Sequence, residues 1–253
     1  MTPLILITND DGVAAKGLMA LAGVAREFGD VVVMAPERNA SGLSHSITSS
    51  RPLRAREVKQ ENGLSIFCCD GTPVDSVKLA VEHFCPRQPD LVLSGINHGS
   101  NSSINVLYSG TMGAVLEATS LGFNAIGFSL LNHNPEADFS GCLPSIRRII
   151  DNTLKQGIPP YVALNVNIPR LPIDEIKGIR ICRQAYARWS DSFEKRIDPQ
   201  GRPYWWLTGK FDCPAPTQDS DEWALTHGYV SVVPICPDFT HYPSIDELKK
   251  VYD

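Results

Sequence analysis

Near its N-terminus the chain reads PLILITNDDG at residues 3–12, a short apolar run that stops at four polar or small residues. Apolar side chains then recur every three or four positions across residues 17–28, which predicts an amphipathic helix. A second continuous apolar run, DVVVMA at residues 30–35, ends at Pro36. Unbroken rather than alternating hydrophobicity is typical of a parallel strand that is covered on both faces. The segment therefore predicts a strand, a loop, a helix and a parallel strand.

The same alternation continues along the chain. Further strands are predicted at residues 64–69, 90–93, 124–130 and 161–166, and further helices at residues 73–84, 111–121 and 143–154. Strands that alternate with helices of this length are typical of a parallel sheet with right-handed crossovers. We therefore expect an α/β fold with a doubly wound, Rossmann-like and mainly parallel sheet.

Length and composition favour one globular α/β domain that binds a small ligand. The 253 residues are 43% hydrophobic and 20% charged, with a formal net charge of -5, which argues against disorder and against a surface for duplex nucleic acid or anionic membranes. The chain lacks an apolar run of the ~18 residues that a membrane span needs. It also lacks the basic and apolar regions of a secretory signal, so we expect a cytoplasmic protein.

The pattern changes after Pro172. Two strand-like segments, residues 179–188 and 203–208, flank the polar turn signal at residues 198–201 and predict a β-hairpin arm. The arm is rich in aromatic residues, which a thin hairpin cannot bury alone, so we expect them to cover the core or, in preference, a partner subunit. We divide one continuous domain into an α/β core that carries the site (residues 1–172) and a segment with the arm, the last core strand and a C-terminal oligomerisation region (residues 173–253).

Polar residues collect where the predicted strands end. The first strand is followed by Asn9, Asp10, Asp11 and Gly12, and the second by a serine-rich loop that contains Ser41. The strand after Asp90 leads to Asn97 and Asn101. Ligands of open parallel sheets bind beyond the carboxyl ends of the strands, so we expect these residues at one edge of the sheet.

Asp10 and Asp11 are adjacent carboxylates, and their repulsion is relieved by a bound cation or by protons. Oxygen donors such as Ser41 and Asn97, with no Cys or His at ligand spacing, favour Mg²⁺ or Mn²⁺ over zinc. The alternative interpretation is a polar turn with two solvated acids, because Asn, Asp and Gly are common turn residues.

Ser109, Gly110 and Thr111 precede a predicted helix, where hydroxyls and free backbone N–H groups can bind a phosphate. The alternative is a simple helix cap. The chain lacks the glycine-rich dinucleotide motif, the P-loop and the G-x-S-x-G motif of serine hydrolases.

Together these motifs resemble the survival protein SurE family of metal-dependent 5′/3′-nucleotidases. The resemblance rests on residues 9–12, 36 with 41–48, 71–73, 94–101, 108–111 and 164–169. It implies hydrolysis of nucleoside 5′- and 3′-monophosphates, a dimer or tetramer with an exchanged C-terminal segment, and one divalent cation per subunit, with Co²⁺ as an alternative to Mg²⁺ or Mn²⁺.

The resemblance also implies the roles of particular residues. The metal ligands and catalytic acids would be Asp10 and Asp11, joined as ligands by Ser41 and Asn97. The phosphate would be bound by Asn9, Asn101, Ser109, Gly110 and Thr111. Two alternative functions are compatible with the same residues. One is a sensor that binds metal and nucleotide without turnover, and the other is a Mn²⁺-dependent sugar-phosphate or glycosyl-transfer enzyme.

Overall fold

The structure, a computed structural model, describes residues 2–134 and 136–253. Its strands in chain order are β1 (Leu4–Thr8), β2 (Asp30–Pro36), β3 (Ala55–Glu61), β4 (Leu64–Cys69), β5 (Leu91–His98), β6 (Ala125–Leu130), β7 (Ala163–Ile168), β8 (Ile179–Ile181), β9 (Arg188–Ile197), β10 (Pro203–Asp212) and β11 (Val230–Ile235). Its α-helices are α1 (Lys16–Ala25), α2 (Pro73–Leu79), α3 (Gly110–Ser120), α4 (Leu143–Gln156), α5 (Asp221–Thr226) and α6 (Ile245–Tyr252).

Nine of these strands form the central sheet, in the order β3-β4-β2-β1-β5-β6-β7-β11-β8. The six strands from β4 to β7 in this order run parallel, whereas β3 and β11 are antiparallel to their neighbours β4 and β7. The doubly wound α/β fold predicted from the sequence is confirmed. The strands β11 and β8 extend the same sheet, although they come from the chain after residue 172.

Apolar side chains cover both faces of the sheet. All five residues of β1 are buried, and alternate ones face opposite layers, Ile5 toward the layer of α1 and α4 and Leu6 toward that of α2 and α3. Burying a strand on both sides requires a continuous apolar sequence, which explains the LILIT pattern. The polar residues that follow β1 are therefore fixed at the carboxyl edge of a rigid sheet.

Two local predictions need correction, and one strand lacks a prediction. The first hairpin strand was expected at residues 179–188, but residues 179–181 form β8 in the main sheet and the hairpin pairs β9 with β10. The turn at residues 198–201 lies between these two strands, as predicted. The strand predicted at residues 90–93 extends to His98 as β5, because Ser94, Asn97 and His98 also pair with β6. The edge strand β3 was not predicted.

The described helices include none with both the length and the hydropathy that crossing a membrane requires.

Candidate functional site

The loop after β1 makes a tight turn at the carboxyl edge of the sheet. Asn9 holds it closed: its Nδ2 donates to the Gly12 carbonyl at 3.1 Å, and its Oδ1 accepts from the Gly12 N–H at 3.2 Å. Gly12 has a φ of +99°, a backbone conformation that side-chain-bearing residues rarely adopt. Both polar groups of the Asn9 side chain thus serve the turn that presents the two following acids.

Asp10 lies against the N-terminus of α3. The residue is 3% exposed, and its Oδ1 accepts a hydrogen bond from the Thr111 hydroxyl at 2.6 Å. Gly110 allows this approach, because a Cβ there would lie 2.9 Å from the Asp10 Cβ. Burial raises the pKa of Asp10, and the Thr111 hydroxyl and the Thr111 and Gly110 amides partly oppose that rise. The carboxyl group of Asp10 therefore lies directly at this helix terminus.

Asp11 is the more accessible of the two acids. Burial and the charge of Asp10 raise its pKa to about 6, whereas the His98 ring and backbone amide act in the opposite direction. Its Oδ2 is a buried oxygen that has no hydrogen-bond partner. A lone buried carboxylate oxygen beside a second carboxylate is costly unless a cation or a proton joins it.

Asn97 supplies an oxygen from the neighbouring strand β5. Its Nδ2 donates to the carbonyls of His98 and Gly99, at 3.3 and 3.0 Å. The amide nitrogen is committed to the backbone, so Oδ1 is the side-chain atom left to bind a cation. Its 8% exposure places Asn97 among the buried polar residues of the edge.

The loop that carries Ser41 is joined directly to the acidic turn. The Ala40 N–H donates to the Asp10 carbonyl at 2.7 Å, which fixes the backbone next to Ser41. Further along, Ser44 Oγ donates to the Leu107 carbonyl at 2.6 Å, and His45 Nε2 lies 2.9 Å from Glu117 on α3. Ser41 itself is exposed. The loop is thus held at both ends while the hydroxyl of Ser41 stays accessible.

The donor set fits a hard divalent cation. The edge offers two carboxylates and an amide oxygen, which are the ligands that Mg²⁺ and Mn²⁺ prefer. Both carboxylates have a raised pKa, and one oxygen of Asp11 is buried without a hydrogen-bond partner. Across residues 2–134 and 136–253, no group of three or more His, Cys, Asp or Glu side chains is arranged to hold a metal. A zinc-type site would need such a group, whereas this one combines two acids with neutral oxygens.

The residues expected at the phosphate fall into two groups. The Ser109 Oγ accepts from the Met112 N–H at 3.1 Å and caps α3, so its hydroxyl proton stays available to a ligand. Asn101 is 5% exposed and donates one Nδ2 proton to Ser129 at 2.9 Å. In contrast, the Thr111 hydroxyl donates to Asp10, and the Asn9 side chain is hydrogen-bonded to Gly12.

Sequence reasoning missed several residues that complete this edge. Asn165 and Asn167 on β7 are buried and hydrogen-bonded to Asn101. They lie within residues 164–169, which carry part of the family resemblance, and they interrupt the otherwise apolar strand ALNVNI, but neither signal indicates a contact with Asn101. His98 lies beside Asp11, its Nδ1 is buried and lacks a partner, and its ring contacts Phe139 edge-on at 5.1 Å between centroids.

Comparison with known proteins gives full-length matches. The chain is 50% identical over 248 residues to the 5'-nucleotidase SurE of Phocaeicola vulgatus, covering 98% of this chain and 96% of the relative. It is 52% identical over 248 residues to the 5'-nucleotidase SurE of Christiangramia forsetii, covering 97% and 95%.

A solved structure and a family model agree with these matches. The crystal structure of the Sure protein from Aquifex aeolicus matches with a TM-score of 0.85 and 38% identity, covering 99% of this chain and 100% of that one. The model of the family described as survival protein SurE matches residues 5–191. The chain therefore belongs to the survival protein SurE family.

Proposed function

We propose that this chain is a metal-dependent 5′-nucleotidase, a phosphomonoesterase that hydrolyses nucleoside 5′- and 3′-monophosphates to nucleoside and phosphate. The observation that carries the proposal is the Asp10–Asp11 pair, buried at the carboxyl edge with one orphaned oxygen. Relatives of nearly the same length are named 5'-nucleotidase, which supports the same class of hydrolase.

Asp10, Asp11, Ser41 and Asn97 are the proposed ligands of one divalent cation per subunit, Mg²⁺ or Mn²⁺, with Co²⁺ as an alternative. When bound, the cation supplies neutralisation of phosphate charge and a lower pKa for a water molecule. The role of Thr111 is to hold Asp10 in place through its hydroxyl. Asn9 does the same for the turn as a whole, through its two bonds to Gly12.

The phosphate binds between Asn101 and Ser109 in this proposal. Each has a donor that the protein does not fully use, the second Nδ2 proton of Asn101 and the hydroxyl proton of Ser109. The absence of a side chain at Gly110 lets the start of α3 approach Asp10 closely. Such donors bind the phosphate oxygens in the substrate and in the transition state alike.

We favour attack by water in line with the leaving ribose oxygen over an aspartyl-phosphate intermediate. A carboxylate that binds a cation is a poor nucleophile. Both Asp10 and Asp11 are committed to the cation in this proposal, and Asp10 also accepts the Thr111 hydrogen bond. Their catalytic role is to hold charge at the reacting group rather than to form a covalent bond.

Assembly as a homodimer or homotetramer is also proposed, through residues 173–253. The arm formed by β9 and β10 is exposed along nearly its whole length, and α6 has no buried residue. The exposed apolar side chains of the arm and of α6 favour burial against a second copy of the chain.

A phosphate-release assay tests the proposed activity. AMP, GMP, CMP, UMP and the 3′-monophosphates are each incubated with Mg²⁺, Mn²⁺, Co²⁺ or EDTA. We expect release of inorganic phosphate with at least one nucleotide and one cation, and none in EDTA. Absence of release from every nucleotide with every cation would overturn the proposal.

A further inference from the structure

We propose that Asn165 and Asn167 of β7 are positioning residues of this active site, which act by fixing Asn101 for the substrate phosphate. The inference rests on the proposed function, because it assigns the phosphate to Asn101. Two buried amides that lie more than 60 residues from Asn101 in the chain thereby set the affinity for phosphate.

The two amides hold the backbone of Asn101 from both sides. Asn167 Oδ1 accepts from the Asn101 N–H at 2.8 Å, and Asn165 Nδ2 donates to the Asn101 carbonyl at 2.8 Å. The same two side chains are joined to each other, Asn167 Nδ2 to Asn165 Oδ1 at 2.9 Å. Side chains thus satisfy both backbone groups of Asn101, as a neighbouring strand would.

A third contact sets the orientation of the Asn101 side chain. Its Nδ2 donates to Ser129 Oγ at 2.9 Å, and Ser129 lies opposite Asn167 in the register of β6 and β7. The main chain and the amide plane of Asn101 are therefore fixed by two adjacent strands. The remaining Nδ2 proton is left with a defined direction, which is the property that a phosphate donor needs.

Packing alone does not explain these residues. Asn165 is 2% exposed and Asn167 is fully buried, and both share a face of β7 with Ala163, which belongs to the apolar core under α3. Burying amides costs free energy unless every hydrogen bond is made, and an aliphatic side chain would cover the face at lower cost. Their polar groups are used on each other and on the segment that carries Asn101.

The test compares Asn167→Ala and Asn165→Ala with a matched control, Ser231→Ala. Ser231 is opposite Asn167 on β11 and is fully buried, but its hydroxyl has no hydrogen-bond partner. The readouts are KM and kcat for AMP with Mn²⁺, the Kd of inorganic phosphate by calorimetry with Mn²⁺, the Mn²⁺ concentration that gives half-maximal activity, and Tm.

Loss of a directed hydrogen bond to a charged group corresponds to about a tenfold loss of affinity. For each β7 variant we expect KM and the phosphate Kd to rise ~10-fold, with kcat and the Mn²⁺ requirement changing less than ~2-fold, because binding is lost equally from substrate and transition state. Ser231→Ala should match the wild type. A merely structural role would lower Tm and leave KM and Kd of the folded protein unchanged, which would overturn the inference.

A double variant separates positioning from direct contact. If Asn167 acts only through Asn101, then Asn101→Ala with Asn167→Ala should bind phosphate no more weakly than Asn101→Ala alone. Additive losses would overturn the inference. If Asn167→Ala does not fold, the same comparison is made with Asn165→Ala, alone and combined with Asn101→Ala. If the wild type releases no phosphate from any nucleotide, the nucleotidase proposal fails, while the phosphate Kd values still decide the inference.

Discussion

The two acids after β1 are arranged for binding rather than for stability. Burial raises the pKa of both, and for Asp11 the charge of Asp10 adds to the rise. Removal of either charge should therefore stabilise the metal-free fold, although it also removes a cation ligand. This opposition between stability and activity is common at functional sites.

We expect Asp10→Asn and Asp11→Asn to lower Mn²⁺-dependent phosphate release by ~100-fold or more, because a neutral amide binds the cation far more weakly than a carboxylate. Each variant should fold, and its Tm in EDTA should equal or exceed that of the wild type. The rise in Tm that Mn²⁺ gives the wild type should be lost. Glu175→Gln, at an exposed carboxylate, is the control. Wild-type activity in either variant would exclude the acid pair from the mechanism.

The raised pKa of Asp11 also predicts how metal-free stability depends on pH. Its folded-state value of about 6 lies above the ordinary 3.8, so the folded protein binds the proton more tightly than the unfolded chain. The stabilisation is present at low pH and is lost as the pH rises through 6. A shift of this size corresponds to at most about 3 kcal/mol, and solvent screening reduces it.

Thermal unfolding in EDTA at pH 5 and pH 7.5 measures this effect. The advantage in Tm of Asp11→Asn over the wild type should be larger at pH 7.5 than at pH 5, because only at the higher pH does the wild type carry the buried charge. An advantage that is equal at both pH values would show that Asp11 keeps an ordinary pKa.

At this scale the sequence predicts where polar groups gather but not what each one contacts. Asp10, Asp11 and Asn97 stand out because they follow apolar runs. Thr111 was expected at the phosphate, yet its hydroxyl binds Asp10, a partner 101 residues away in the chain. The amides of β7 were missed for the same reason, since their partner Asn101 is more than 60 residues away.

Among the elements, α3 connects the parts of the site. Its N-terminus faces Asp10, and its second turn packs against the loop that carries Ser41. A Cβ at Gly113 would collide with the Ser44 carbonyl and lie 3.0 Å from the His45 Cα. Both neighbours are backbone atoms, so the loop rather than a flexible side chain would have to move.

Gly113→Ala should therefore displace the Ser41 loop, and we expect the Mn²⁺ concentration for half-maximal activity to rise by ~10-fold, a typical effect of disturbing a ligand's support. Gly23→Ala is the matched control in α1, because a Cβ there meets nothing within 4 Å. It should raise the free energy of unfolding by about 0.5–1 kcal/mol without a change in Mn²⁺ requirement. An unchanged requirement in Gly113→Ala would argue against Ser41 as a ligand.

Elements with a continuous apolar core were predictable, whereas the exposed strands β3 and β9 were not. The buried strands β1, β2, β4 and β6 were found from composition alone. The strand β3 reads AREVKQE and is almost entirely accessible, so no buried face imposes a pattern on it. The hairpin strand β9, RWSDSFEKRI, lacks any buried residue for the same reason. Its register follows from pairing with β10, which is a tertiary property.

At the scale of the whole molecule, the hairpin arm formed by β9 and β10 exposes one mainly apolar face. Opposite residues in the register of β9 and β10 share a face. One face thus carries Trp189, Phe193, Ile197, Trp205 and Leu207, and the other is mostly charged or hydroxylated. Phe193 and Leu207, directly opposite each other, are 67% and 63% exposed.

The proposed assembly predicts that this face is covered by another copy of the chain. Phe193→Ser with Leu207→Ser should shift the mass measured by light scattering toward a smaller species, since burying each such side chain contributes about 1.5–3 kcal/mol. Ser192→Ala, on the opposite face, is the control and should keep the wild-type mass. The proposed metal and phosphate residues all come from the loops after β1 and β2, from β5 and the loop after it, and from the start of α3 in one chain. The kcat per subunit should therefore stay within ~2-fold of wild type, as expected for sites that do not couple. An unchanged mass in the double variant would mean that this face lies outside the interface, and a collapse of kcat would mean that a neighbouring subunit completes the site.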